Sequence, residues 1–82
     1  MIALENVKKK ENRIEADFWY PSHPDDWGHL SYDITREEIN HVEMPKHSKG
    51  TVHSYQFGKV LFALKKMVRY NKFPSPYYYF WY

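Results

Sequence analysis

The sequence contains no cysteine and only three glycines among its 82 residues. Without cysteine, the protein forms no disulfide, cysteine-ligated zinc site or iron–sulfur cluster, and it has no thiol for catalysis. With so few glycines, the composition argues against a glycine-rich phosphate-binding loop. Neither a nucleophile elbow nor a catalytic triad of Ser, His and Asp is recognisable in the sequence. We therefore expect a protein that is not an enzyme and that needs no cofactor.

Long apolar runs and a strong excess of one charge are also missing. No segment approaches the roughly 18 apolar residues that a membrane span needs, and no targeting segment is recognisable at the start of the chain. Together with the lack of cysteine, this predicts a cytoplasmic protein with no membrane partner. Twelve Lys and Arg against ten Asp and Glu leave a net charge of +2, and the length suits one domain over residues 1–82.

Aromatic residues are abundant, with three Trp, eight Tyr and five Phe. Each ring-bearing side chain can bury about 150 to 250 Å², whereas a domain of this size has only a small core in which to place them. The rings that the core does not absorb would form an apolar patch, and such patches are typical of interaction surfaces. The composition thus predicts a module that works by binding.

Alternation of apolar and polar residues predicts strands in the first half of the chain. In one of them Ile14 and Phe18 lie on one side of a two-residue period, and Glu15 and Asp17 lie on the other. A polar turn at 8–12 and a proline-broken loop at 20–28 separate the first three strands. The strands predicted in this way cover residues 2–7, 14–20, 29–34 and 39–44.

A helical period predicts one helix at about residues 52–71. Apolar side chains recur on one arc of this helix, and Gly58 within it suggests close packing against the sheet. Pro74 and Pro76 are expected to end the helix, and the aromatic residues 77–82 are expected to form a short terminal strand. The predicted fold is α+β, with two layers: a mostly antiparallel β-meander and one C-terminal α-helix packed on it.

The favoured function is protein–protein interaction or self-association through exposed rings. Alternate residues of the terminal strand point to opposite sides, and the sequence leaves open which set packs on the helix. Pairing of free strand edges between two copies would give a homodimer. The candidate interface residues are Trp19, Trp27, Phe62, Tyr77, Tyr79 and Trp81.

An alternative function is nucleic-acid binding by the predicted helix. No acidic residue interrupts the sequence from Val52 to Lys72, so the basic residues opposite the core arc have no acidic neighbours on the helix. Rings among these cations could stack on bases while the cations neutralise phosphates. The residues of this alternative are Tyr55, Lys59, Phe62, Lys65, Lys66, Arg69 and Lys72.

A second alternative is a metal-dependent hydrolase. Imidazole and carboxylate ligands suit zinc or another divalent ion, and the loop after the second strand carries four such side chains. A loop of this composition more often caps its own turn, and the spacing matches no known metal motif. The candidate ligands are His23, Asp25, Asp26 and His29.

Several short motifs in residues 28–82 resemble those of a set of short uncharacterised bacterial proteins. These motifs are the glycine-led strand Gly28 to Asp33, the helical Ala63-Leu64-Lys65, the later Pro74 and the terminal Trp81-Tyr82. The resemblance implies a β-meander with one helix. It implies no assigned activity and supplies no catalytic residue.

Overall fold

The computed structural model describes residues 2–48 and 55–79, and it confirms the predicted α+β fold. The described residues form a five-stranded antiparallel sheet with one helix packed on one face. The elements in chain order are β1 (Ile2–Lys10), β2 (Arg13–Trp19), β3 (Gly28–Asp33), β4 (Glu38–Glu43), a short 3₁₀ helix (Lys46–Ser48), α1 (Tyr55–Tyr70) and β5 (Tyr77–Tyr79).

The sheet has the order β4-β3-β2-β1-β5. The first four strands form a meander, and the chain then crosses the sheet through α1 to add β5 beside β1. The turn between β1 and β2 is shorter than predicted, because β1 continues to Lys10. Lys8 to Lys10 pair with residues 13–15 and stay exposed, so their polarity does not interrupt the strand.

The core lies between α1 and the inner face of the sheet. Phe18 of β2 and Tyr20, which directly follows β2, are fully buried, and Phe18 contacts Phe57 of α1 with ring centres 5.7 Å apart. The other buried side chains that share this layer are Ile2, Leu4, Val7, Ile14, Ala16, Leu30, Tyr32, Val60, Ala63, Leu64 and Met67. The apolar arc predicted for the helix is therefore the side that packs on the sheet.

The helix ends at Tyr70, before the two prolines that were expected to stop it. Asn71 has a left-handed backbone with φ 53°. Its N–H donates to the carbonyl of Val68, and the N–H of Lys72 donates to the carbonyl of Met67. This pattern is a Schellman cap with asparagine in the position that usually holds glycine.

The prediction of close packing at Gly58 is wrong. Gly58 is exposed, and a Cβ built on it meets no described atom within 4 Å. The described helix is not long and apolar enough to cross a membrane. The predicted helical residues 52–54 and strand residues 80–82 lie outside the described residues.

Candidate functional site

The exposed rings of the described residues fall on two opposite sides of the molecule. Phe62 and Tyr70 of α1 are 52% and 59% exposed, and they lie on the side of the helix away from the core. Trp27 and Tyr78 are 42% and 46% exposed, and they lie at the face of the sheet turned away from α1. We call these two sides the helix surface and the outer sheet face.

The helix surface is built around a stacked pair of rings. Phe62 stacks on Tyr79 of β5, with ring centres 5.6 Å apart and an angle of 22° between the rings. Two open depressions of about 300 and 310 Å³ adjoin there and share Lys66 and Tyr70. The helix surface comprises Phe62, Lys65, Lys66, Arg69, Tyr70, Lys72, Tyr77 and Tyr79.

The charge of the helix surface is entirely positive. The sequence from Tyr55 to Lys72 has no acidic residue. Lys65, Lys66 and Arg69 are exposed and form no ion pair with a described residue. The guanidinium carbon of Arg69 lies 5.9 Å from the centre of the Tyr70 ring, a distance at which a cation is attracted to the ring face.

The terminal strand contributes rings to both sides. Tyr77 and Tyr79 are half-buried and pack against the core on the helix side, whereas Tyr78 faces outward. This settles, for the described residues, the orientation that the sequence left open. Among the other predicted residues, Trp81 and the side chain of Tyr55 lie outside the described structure, and Lys59 is half-buried.

A row of acidic side chains crosses the outer sheet face. The strand register places Glu5 beside Asp17, Asp17 beside His29, and His29 beside Glu43, so the row spans four strands. Asp17 Oδ1 lies 2.7 Å from His29 Nδ1, and the Glu43 side chain is 72% exposed. We call these four residues the acidic row. Sequence analysis missed the row, because its members are distant along the chain.

A row of rings lies next to the acidic row. Ala3 pairs with Tyr78 on one side and with Trp19 on the other. The indole N–H of Trp19 donates to Glu5 Oε2 at 2.9 Å, and the ring of Trp27 lies 6.0 Å from that of Trp19. Trp19 is half-buried, so of the two predicted tryptophans Trp27 offers the more exposed ring.

The structure does not assemble the four predicted metal ligands around one point. The ring of His23 stacks on His47 with centres 3.7 Å apart, Asp26 also contacts His47, and His29 turns to Asp17 on the sheet. Among the described residues no group of three or more histidine or carboxylate side chains is arranged to hold a metal ion. His23, Asp26 and His29 each contact another histidine or carboxylate instead.

Asp26 fastens the loop after β2 to the 3₁₀ helix. Its carboxylate accepts hydrogen bonds from the backbone N–H groups of Lys46 and His47, both at 2.8 Å, and also contacts the His47 ring. The backbone and side-chain hydrogen bonds from His47 are the main cause that lowers the pKa of Asp26 to about 2. Asp26 therefore has a structural role, because its hydrogen bonds hold the loop against the 3₁₀ helix.

Comparisons with protein-family models, with curated proteins and with solved structures find no match to this chain.

Proposed function

We propose that this protein is a binding module whose helix surface holds an acidic, partly apolar surface of a protein partner. The observation that carries the proposal is the Phe62 ring, which stays half exposed among cations that have no described acidic partner. The absence of cysteine suits a reducing compartment, so we place the module in the cytoplasm.

The rings and the cations have different roles in this proposal. Apolar area removed from water contributes about 25 cal/mol per Å², so covering Phe62 and Tyr70 supplies most of the affinity. Exposed ion pairs contribute only about 0 to 1 kcal/mol each. Lys65, Lys66 and Arg69 therefore act mainly on orientation and on the rate of encounter with an acidic partner.

A single-stranded nucleic acid is the second candidate ligand. The observation that favours it is the line of cations beside exposed rings on one helix, because bases stack on rings with about 1 to 3 kcal/mol each while cations neutralise phosphates. Against it, one side of the Phe62 ring is already stacked on Tyr79. A base could therefore stack only on the other face of Phe62, whereas a protein surface can use that face and the ring edge together.

The two candidate ligands can be distinguished by titrating isotope-labelled protein with a probe of each kind and following the backbone amide NMR shifts. One probe is an acidic peptide that carries leucine and phenylalanine, and the other is a single-stranded oligonucleotide of equal charge. We expect the peptide to shift the amides of Phe62, Lys66 and Arg69 and to bind more tightly than the oligonucleotide.

The matched variants are Lys65→Glu for the helix surface and Arg36→Glu for an exposed cation in the turn before β4. The first should weaken peptide binding several-fold, and the second should leave it unchanged. Tighter binding of the oligonucleotide would support the second candidate, and no shift with either probe would refute both.

A further inference from the structure

We infer that the acidic surface recognised by the helix surface is the outer sheet face of a second copy of this chain. This inference rests on the proposed function and names its partner. In this arrangement each copy places α1 over the sheet of the next copy, so that copies stack head to tail.

Charge complementarity supports this partner. The acidic row brings three carboxylates and one histidine together on the outer sheet face. The helix surface brings Lys65, Lys66, Arg69 and Lys72 together on the opposite side of the same molecule. Each surface also carries exposed rings. A contact between the two surfaces would therefore combine apolar area with opposite charges, as protein interfaces do.

The same charges disfavour a symmetric dimer through the helix surface. Two helix surfaces in contact would set cations against cations, and opposed like charges weaken an interface. The outer sheet face carries Lys8, Lys10 and Arg13 beside its carboxylates. The head-to-tail contact sets the acidic row against the helix cations, which makes the contact heterologous.

The outer sheet face also offers a place for a cationic side chain. A depression of about 550 Å³ opens beside Trp27, and its lining includes Asp17, Glu43 and the cation Lys46. A lysine or arginine entering from the neighbouring copy would meet carboxylates and the exposed indole together. A cation over a tryptophan face is attracted by the negative face of the ring.

The size of the molecule sets an upper limit on the contact. Its principal dimensions are 31, 23 and 21 Å, so a contact that covered one whole side would bury at most about 700 Å² per copy, slightly below the roughly 800 Å² per partner of a standard protein interface. Because the two surfaces lie on opposite sides of a two-layer molecule, the contact does not close into a dimer. It generates an assembly larger than a dimer, which is a ring or an open chain according to the rotation between successive copies.

Light scattering coupled to size exclusion tests the inference on the wild-type protein. We expect the mean mass to rise steadily above 10.0 kDa as the protein concentration increases at low salt. The mass should fall back to that of the monomer near 1 M salt, where the screening length is only about 3 Å.

Charge reversal identifies the surfaces. The sheet variant combines Glu15→Lys with Glu43→Lys, two exposed or partly exposed carboxylates on the outer sheet face. The helix variant combines Lys65→Glu with Arg69→Glu. Each variant alone should stay near the monomer mass, because its two reversed charges repel the charges on the opposing surface that they attracted before. All four substitutions together restore the wild-type net charge and set the introduced glutamates against the introduced lysines, so association should return.

Two charge-matched controls alter exposed residues in or beside the turns at the end of the sheet. Glu11→Lys with Glu37→Lys matches the sheet variant in net charge, and Lys9→Glu with Arg36→Glu matches the helix variant. Both controls should associate like the wild type. Far-ultraviolet circular dichroism and thermal unfolding of every variant establish that it folds.

Three outcomes would overturn the inference. A wild type that stays monomeric at low salt would exclude self-association, and a discrete dimer insensitive to salt would indicate strand-edge pairing. Failure of the fourfold variant to associate would exclude the contact between these two surfaces. In each case, binding of the acidic peptide at Phe62 would still support the proposed function, whereas loss of that binding as well would refute both.

Discussion

At the scale of single residues, two glycines of this chain have opposite roles. Gly28 begins β3 where the backbone lies against a ring: a Cβ there would be 2.5 Å from Phe18 Cζ and 2.7 Å from the carbonyl oxygen of Glu43. Neither atom can move freely, because Phe18 is buried in the core and the carbonyl belongs to β4. Gly58 has open space on the exposed side of α1.

We therefore predict that Gly28→Ala and Gly58→Ala change stability in opposite directions. Gly28→Ala should lower the free energy of unfolding by about 1 to 3 kcal/mol, as overpacking does in a filled core. Gly58→Ala should raise it by about 1 kcal/mol, because alanine has the higher helix propensity. Urea unfolding measures both changes. A neutral Gly28→Ala would show that the contact with Phe18 is looser than described.

Asp26 predicts a pH dependence of stability. Its pKa in the folded protein is about 2, below the ordinary value of 3.8, chiefly because His47 donates hydrogen bonds to the carboxylate. A lowered pKa means that the folded state favours the charged form, so this contribution is present above about pH 4 and is lost as the pH falls toward 2.

We expect Asp26→Asn to be less stable than the wild type at pH 6 and the difference to shrink between pH 4 and pH 2. Thermal unfolding of the two proteins over this range measures the difference directly. Asp25→Asn is the matched control, because no hydrogen bond to its carboxylate is found among the described residues. A constant difference between wild type and Asp26→Asn would refute the role assigned to this carboxylate.

At the scale of elements, the end of α1 depends on one backbone conformation. Asn71 adopts φ 53° so that two helix carbonyls are capped before the chain turns toward β5. The left-handed conformation costs most residues about 1 to 2 kcal/mol, whereas glycine adopts it freely and asparagine is among the residues that tolerate it.

Substitutions at Asn71 should follow this order. Asn71→Ala is expected to lower the free energy of unfolding by about 1 kcal/mol, and Asn71→Gly to leave it unchanged or raise it. Denaturant unfolding checks the order, with Asn40→Ala on exposed β4 as a control outside the helix. Equal stability of the alanine and glycine variants would contradict the proposed cap.

At the scale of the whole molecule, the two layers carry local groups of opposite charge. The chain has a net charge of only +2, yet four of its twelve Lys and Arg lie on the helix surface and three carboxylates lie in the acidic row. Net charge therefore underestimates how strongly one copy can attract another, because association depends on the local field of each surface.

If copies stack head to tail, their thermal stability should depend on concentration. Association stabilises the folded state by mass action, so we expect the midpoint of thermal unfolding at low salt to rise with protein concentration. The sheet variant with Glu15→Lys and Glu43→Lys should show a midpoint independent of concentration. Differential scanning calorimetry over a hundredfold range of concentration compares them, and a constant wild-type midpoint would argue against stacking.

The sequence by itself determined the elements and the basic face of the helix, because these follow from local periodicity. The alternation around Ile14 and Phe18 predicts a strand with one buried side, and the spacing of apolar residues along α1 predicts which side of the helix is buried. Cations on the opposite arc are then exposed on any fold that buries the apolar arc. Composition predicts a surplus of rings, but it does not predict that Tyr70 and Tyr78 are exposed while Trp19 is half-buried.

Only the tertiary structure decided what lies beside these residues. The acidic row depends on the register of four strands, and the pairing of Asp26 with His47 joins segments far apart along the chain. The stacking of Tyr79 on Phe62 depends on the crossing of α1 over the sheet. Local patterns do not encode such contacts, because strand register and chain crossing are fixed by long-range packing of the core.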